Sequence, residues 1–179
     1  IAKASGGGDS EQLDEVNYEG YGPGGVAVLV QTVTDNRNRT VSEIRHEFTR
    51  AGGNLGETGS VAWQFEAKGT ITIGINDNEE ELTLLAIDVG ADDIESLDTV
   101  LDLQTKPNTL EDVRKKLEEQ GVSIENADIA MIPKSTLSLE TSDAKKILHL
   151  LDKLEELEDV QRVYSNIEFK DEILENYAE

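Results

Sequence analysis

Gly20, Gly22 and Gly25 stand at G-x-G-x-x-G spacing, the spacing of loops that cradle a dinucleotide pyrophosphate. That chemistry needs the glycines after a strand and at the start of a helix, so that the helix N–H groups meet the phosphate. Here the order is reversed. Residues 26–33, an apolar β-branched run, follow the glycines and read as a strand. Pro23 inside the motif favours a turn. An acidic ribose reader expected ~20 residues further on falls near Arg39, which has the opposite sign. The motif reads as a tight loop leading into a core strand, with no nucleotide.

The other chemical residue types are sparse. His46 and His149 are the two histidines, and neither has a second histidine three or four residues away to share a metal. There is no cysteine, which excludes disulfides, thiolate catalysis and cysteine–metal sites. No G-x-S-x-G elbow is present. From Asp77 to Asp102 the chain holds ten acids and no base. Their spacing misses the calcium loop, and they read as a solvated acidic face. Arg37, Arg39, Arg45 and Arg50 form the best basic cluster. Arg37 and Arg39 flank an expected helix N-terminus, where free N–H groups attract phosphate, and arginine adds bidentate contacts. The competing reading is local ion pairing with Asp35, Glu43 and Glu47. The glycine-punctuated loop at residues 54–60 is either an anion nest of backbone N–H groups or a plain connection. No enzyme chemistry is assembled by these residues, so no cofactor, metal or small-molecule substrate is expected.

The chain has 179 residues, 16 basic against 38 acidic, for a formal net charge of −22. That field repels nucleic acid at long range, so any RNA or DNA contact needs a local basic patch or another part of the protein. No stretch approaches the ~18 apolar residues that span a bilayer, and residues 1–5 lack the apolar core of a secretion signal. A soluble intracellular protein without a membrane partner is expected.

The elements that would position these residues follow from periodicity. Residues 1–15 read as a linker around Gly6-Gly7-Gly8. After the strand at 26–34, Thr40 and Glu43 have capping-box spacing, and Val41, Ile44, Phe48 and Ala51 make a helix face closed by Gly52-Gly53. Residues 61–65 and 70–74 read as strands. Leu82, Leu85, Ala86 and Val89 mark a helix ending at Gly90, and 93–95 and 99–103 are short strands. Thr109 caps a helix with Leu110, Val113 and Leu117. Residues 127–132 and 137–139 are strands, Thr141 or Ser142 caps a helix through Leu154, and 160–164 is a strand. Residues 171–179 read as a weak amphipathic helix. The series parses as βαββαβ twice, the ferredoxin-like pattern of an α+β protein. Two arrangements fit. Residues 16–97 precede 98–168, or one unit interrupts the other after Phe65.

Three strings resemble a known family. The block from Tyr18 to Gly69, YEGYGPGGVAVLVQTVTDNRNRTVSEIRHEFTRAGGNLGETGSVAWQFEAKG, is similar to the signature block of the YebC/PmpR family, and ADIAMIPKSTLSL and LEDVQRVYSNI are similar to its later blocks. The resemblance runs from about Val16 to Ile167. It implies a fold of two ferredoxin-like βαββαβ domains, one inserted in the other, and so the nested parse: a first domain at 16–67 and 134–168, an inserted domain at 68–133 and a tail at 169–179. The family includes bacterial proteins described as transcriptional regulators, ribosome-associated factors that relieve stalling at proline runs, and a mitochondrial translational activator. The resemblance thus implies a non-enzymatic regulator of gene expression, partnered by the ribosome, rRNA or mRNA, cytoplasmic in a bacterium or in the mitochondrial matrix of a eukaryote. The alternative is a DNA-binding transcriptional regulator. The family's basic N-terminal helical domain is expected to be missing here, since IAKASGGGDSEQ resembles its end, and contact with DNA would fall to that domain. On this reading Asn36, Arg37, Asn38, Arg39, Arg45 and Arg50 touch nucleic acid, and Gly22, Gly24, Asn54, Gly56 and Thr58 supply loop contacts.

Overall fold

The computed structural model describes residues 12–75 and 78–168; the expected linker at 1–11 and the tail helix at 171–179 lie outside them. The elements in chain order are β1 (Asp14–Tyr21), β2 (Ala27–Thr34), α1 (Arg37–Ala51), β3 (Asn54–Leu55), β4 (Phe65–Gly74), α2 (Glu79–Val89), β5 (Asp93–Leu97), β6 (Val100–Thr105), α3 (Leu110–Glu119), β7 (Ile124–Pro133), α4 (Thr141–Glu156) and β8 (Val160–Ser165). They form two four-stranded sheets, ordered β3-β1-β2-β8 and β5-β6-β4-β7. The protein is α+β and divides into two compact units, residues 1–65 with 133–179 and residues 66–132.

The inserted unit runs β4-α2-β5-β6-α3-β7. β6 lies antiparallel between β4 and β5, with Gly69 opposite Thr105 and Leu97 opposite Val100. This is the split-βαβ arrangement, in which a hairpin strand fills the gap left by a crossover. Ile71, Ile73, Leu101 and Leu103 alternate onto one face of the sheet and pack with Ala86 of α2 and Leu110, Val113 and Leu117 of α3. α2 starts where the Asn78 side chain accepts from the Glu81 N–H, and it ends at left-handed Gly90.

The outer unit reaches the same strand placement by a different route. Its inner strands are β1 and β2, an antiparallel hairpin from Asp14 opposite Thr34 to Tyr21 opposite Ala27. The place that residues 61–65 were expected to take is filled by β1, a segment read from the sequence mostly as linker and loop. Residues 62–64 form a 3-10 turn instead, and 137–139 contributes only an isolated bridge, Leu137 to Ile167. Val26, Val28 and Val30 pack against Ile44 and Phe48 of α1 and Ala144, Ile147, Leu150, Leu151 and Leu154 of α4. The glycine motif is the turn of the β1–β2 hairpin. Gly22 N–H donates to the Val26 carbonyl at 2.8 Å, and Gly24 and Gly25 take φ of 78° and 84°, a region costly for other residues.

Candidate functional site

At one end of the outer sheet lie the first turn of α1 and its arginines. Asn36, not Thr40, caps this helix: its side chain accepts from Arg39 N–H at 3.1 Å. The capping-box expectation at Thr40–Glu43 is therefore corrected. Thr40 sits inside the helix, buried, and its hydroxyl donates to Asp159 at 2.7 Å. The same carboxylate receives Arg39 at 3.0 Å, and Arg39 also meets Asp35 at 2.8 Å and Glu43 at 3.7 Å. Hydrogen bonds from Arg39 to Asp159 and Asp35 hold its guanidinium proton more tightly than usual. Burial would raise the Asp159 carboxyl, but Thr40 and Arg39 more than offset that and leave it lowered. Arg37 pairs with Asp14 at 3.2 Å. Of the six expected contact residues, Asn36, Arg37 and Arg39 are thus engaged within the protein. Asn38, Arg45 and Arg50 are exposed on α1.

The glycine loops gather at the other end. β1 finishes at Tyr21, which pairs with Ala27 on one side and Asn54 on the other. A Cβ on Gly53 would collide with the Tyr21 carbonyl and the Gly22 backbone, so the loop after α1 lies directly on the hairpin turn. This brings Gly22, Gly24, Asn54, Gly56 and Thr58 to one end, although Gly22 N–H is spent on Val26 and Gly56 N–H on the Glu19 carbonyl. The anion-nest reading of residues 54–60 is also corrected. Glu19 is 3% exposed, and its carboxylate accepts from the N–H groups of Gly59 at 2.8 Å, Val61 at 2.9 Å and Ala62 at 2.7 Å. The loop's donors hold the protein's own anion. Burial pushes the Glu19 carboxyl up, and the three N–H donors outweigh it, leaving the group lowered.

The Glu19 anchor turns the chain at Ser60–Gln64 so that the Trp63 ring reaches the surface beside the Tyr21 ring at the end of β1. Trp63 is 66% exposed and Tyr21 37%. Trp63 Nε1–H and Tyr21 O–H both donate to the Ser60 carbonyl, at 3.0 and 3.2 Å. Gln64 Nε2 donates to the Tyr21 hydroxyl at 3.1 Å, Asn166 Nδ2 donates to Gln64 Oε1 at 3.2 Å, and Ala27 N–H donates to Asn166 Oδ1 at 2.9 Å. Lys134 N–H donates to the Gln64 carbonyl at 2.8 Å, and the Lys134 side chain is exposed. The strand expected over residues 61–65 gives no sign of this cluster, because Trp63 lies in a 3-10 turn instead. A signal was present: the chain's one tryptophan follows a glycine-rich loop.

The two ends are far apart. The 15 residues of α1 span ~22 Å at ~1.5 Å per residue, so the arginine pair and the glycine loops do not form one site. Among the described residues no group of three or more His, Cys, Asp or Glu is placed to hold a metal, and His46 and His149 are exposed helix residues.

A family model described as the second and third domain of TACO1/YebC matches residues 13–167. The chain belongs to the TACO1/YebC family. A Halothermothrix orenii protein is 45% identical over 183 residues, which is 100% of this chain and 72% of the relative. A Dehalococcoides mccartyi protein is 49% identical over 180 residues, 99% of this chain and 71% of the relative. Both carry the name probable transcriptional regulatory protein. The crystal structure of a conserved hypothetical protein from Aquifex aeolicus superposes with a TM-score of 0.87 at 49% identity, over 97% of this chain and 72% of that one. Both ends of the outer sheet lie within the TACO1/YebC match.

Proposed function

We propose that this TACO1/YebC chain is a non-enzymatic regulator of gene expression that acts on RNA at the ribosome, as a translation factor or translational activator. The names of its relatives support the regulatory role. The observation that carries the RNA reading is the convergence of two glycine loops, distant in sequence, at one exposed end of the outer sheet. Such a surface lets a nucleic-acid backbone approach closely, with the exposed cations Arg50 and Lys134 available for phosphate. A regulator that grips duplex DNA needs many phosphate contacts, and the cations at the start of α1 are already engaged by Asp14, Asp35 and Asp159.

In this proposal the outer unit, taken as residues 16–67 and 134–168, faces RNA. The inserted unit at 68–133 carries the acidic run and sets spacing or meets a basic protein. The proposed compartment is the cytoplasm in a bacterium, which the bacterial relatives support, or the mitochondrial matrix in a eukaryote. No helix among the described residues is long and apolar enough to cross a membrane. The contact set is narrowed from the arginine pair to Arg45, Arg50, Gly24, Asn54, Gly56 and Thr58; Gly22 drops out because it is buried with its N–H on the Val26 carbonyl. The test is sedimentation with ribosomes at low and physiological salt, beside binding to duplex DNA. Co-sedimentation at both salts with no duplex binding is expected. Specific duplex binding without ribosome association would instead support the transcriptional reading.

A further inference from the structure

Large apolar side chains are normally withdrawn from water, and a tryptophan left outside needs a reason. Trp63 is 66% exposed, yet its position is not loose. Its indole N–H is fixed on the Ser60 carbonyl. The Tyr21 hydroxyl donates to that same carbonyl and accepts from Gln64. Three separate segments hold the pair: β1, through Tyr21 itself and the Glu19 anchor beneath the 60–64 turn, that turn, and Asn166 behind Gln64. With the donor atoms of both rings spent inside the protein, what remains for a partner is aromatic surface. One exposed cation adjoins it: Lys134, hydrogen-bonded through its backbone to Gln64, forms no ion pair among the described residues. Glu57, in the neighbouring loop, is the acid that a phosphate would have to pass.

We propose that Tyr21 and Trp63 form a stacking platform for unpaired RNA bases. Aromatic faces beside cations are the means by which proteins hold single strands without reading a particular sequence, because every base offers a π-face while its phosphates need a positive neighbour. A duplex keeps its bases stacked on each other and offers the platform only its ends. This rests on the RNA reading above and specifies what that surface grips.

The chain's single tryptophan makes the test direct, because all indole emission comes from Trp63. A 12-nucleotide single-stranded RNA, the same RNA annealed to its complement, an abasic strand of equal length and a proline-rich peptide would each be titrated at low salt. The single strand is expected to quench Trp63, and the duplex, abasic strand and peptide to leave it largely unchanged. By anisotropy of the labelled strand, Trp63→Ala should weaken binding about 5- to 150-fold, the range typical of one stacked base, while Trp63→Phe keeps most of it. Equal quenching by the abasic strand would overturn stacking in favour of phosphate contact. Quenching by the peptide alone would make the platform a protein-docking site, and no quenching by single-stranded RNA would overturn it outright. Ribosome association that survives Trp63→Ala would reject the platform and keep the RNA reading. Quenching by RNA without ribosome association would do the reverse.

Discussion

The two ends of the outer sheet solve opposite problems with the same residue types. At the arginine end, cations and carboxylates face each other at the surface, and Asp159 gathers Arg39, Thr40 and Thr34 into one joint between α1, β2 and the start of β8. At the glycine end the acid is inside. Glu19 draws three backbone N–H groups inward, and the turn they form leaves Trp63 exposed beside Tyr21. The first end spends its charge on holding the fold. The second spends charge on presenting a surface. A cluster of arginines is therefore a weaker sign of function than an anchored loop with exposed rings, because polar groups that already satisfy one another have little left for a partner.

The contrast can be broken most forcibly at Glu19. Glu19→Ala strands buried N–H donors and should cost about 3 kcal/mol or more in denaturant unfolding, with the 56–64 loop losing protection in hydrogen exchange. Glu19→Gln should cost less, since one oxygen still accepts. The pH dependence has a defined sign. The Glu19 carboxyl is lowered in the fold from its ordinary value near 4.5, so its contribution is complete above that value and is lost as pH falls through the folded value. Glu19→Gln should flatten the acid limb of a stability–pH curve.

At the opposite end Asp159→Ala should cost about 2 kcal/mol, since Thr40 and Thr34 lose a partly buried acceptor together with Arg39. Its carboxyl is also lowered, so it too adds stability that disappears on acidification. This variant should leave RNA binding unchanged, which sharpens the division between the two ends.

Trp63→Ala should shift stability by less than about 0.5 kcal/mol, as for other exposed positions, while weakening RNA binding by the factor given above. The smallest effect is expected at Ser60→Ala. The Ser60 Oγ is buried without a hydrogen-bond partner among the described residues, so its loss should leave the melting temperature unchanged or slightly raised, and the Tyr21 and Trp63 contacts are to the Ser60 carbonyl, which survives.

The inserted unit was legible because its signals are local. Leu82, Leu85 and Val89, the stop at Gly90, and the alternating Ile71 and Ile73 each announce one element and its buried face. The outer unit hides its second inner strand. In β1 the apolar positions are only Val16, Tyr18 and Tyr21, set among Asp14, Glu15, Asn17, Glu19 and Gly20, which resembles a polar linker. The 60–64 segment misleads in the other direction. In a strand, Val61, Trp63 and Phe65 would share one face. Glu19, about forty residues away in sequence, captures the Val61 and Ala62 N–H groups, and the resulting 3-10 turn buries Val61 and Phe65 but exposes Trp63. No periodicity reports a capture of that range. α1 also begins a turn earlier than its capping-box spacing suggests, because Asn36, four residues before Thr40, accepts from the Arg39 N–H.

The account's central claim, that the glycine end meets RNA and the arginine end holds the fold, is tested most directly by one paired comparison. Ribosome co-sedimentation at physiological salt would be measured for Tyr21→Leu with Trp63→Ala, and for Arg37→Ala with Arg39→Ala, each verified as folded by its thermal melt. The account predicts that the aromatic pair of substitutions abolishes association while the arginine pair retains it. Loss with the arginine substitutions and retention with the aromatic ones would contradict it.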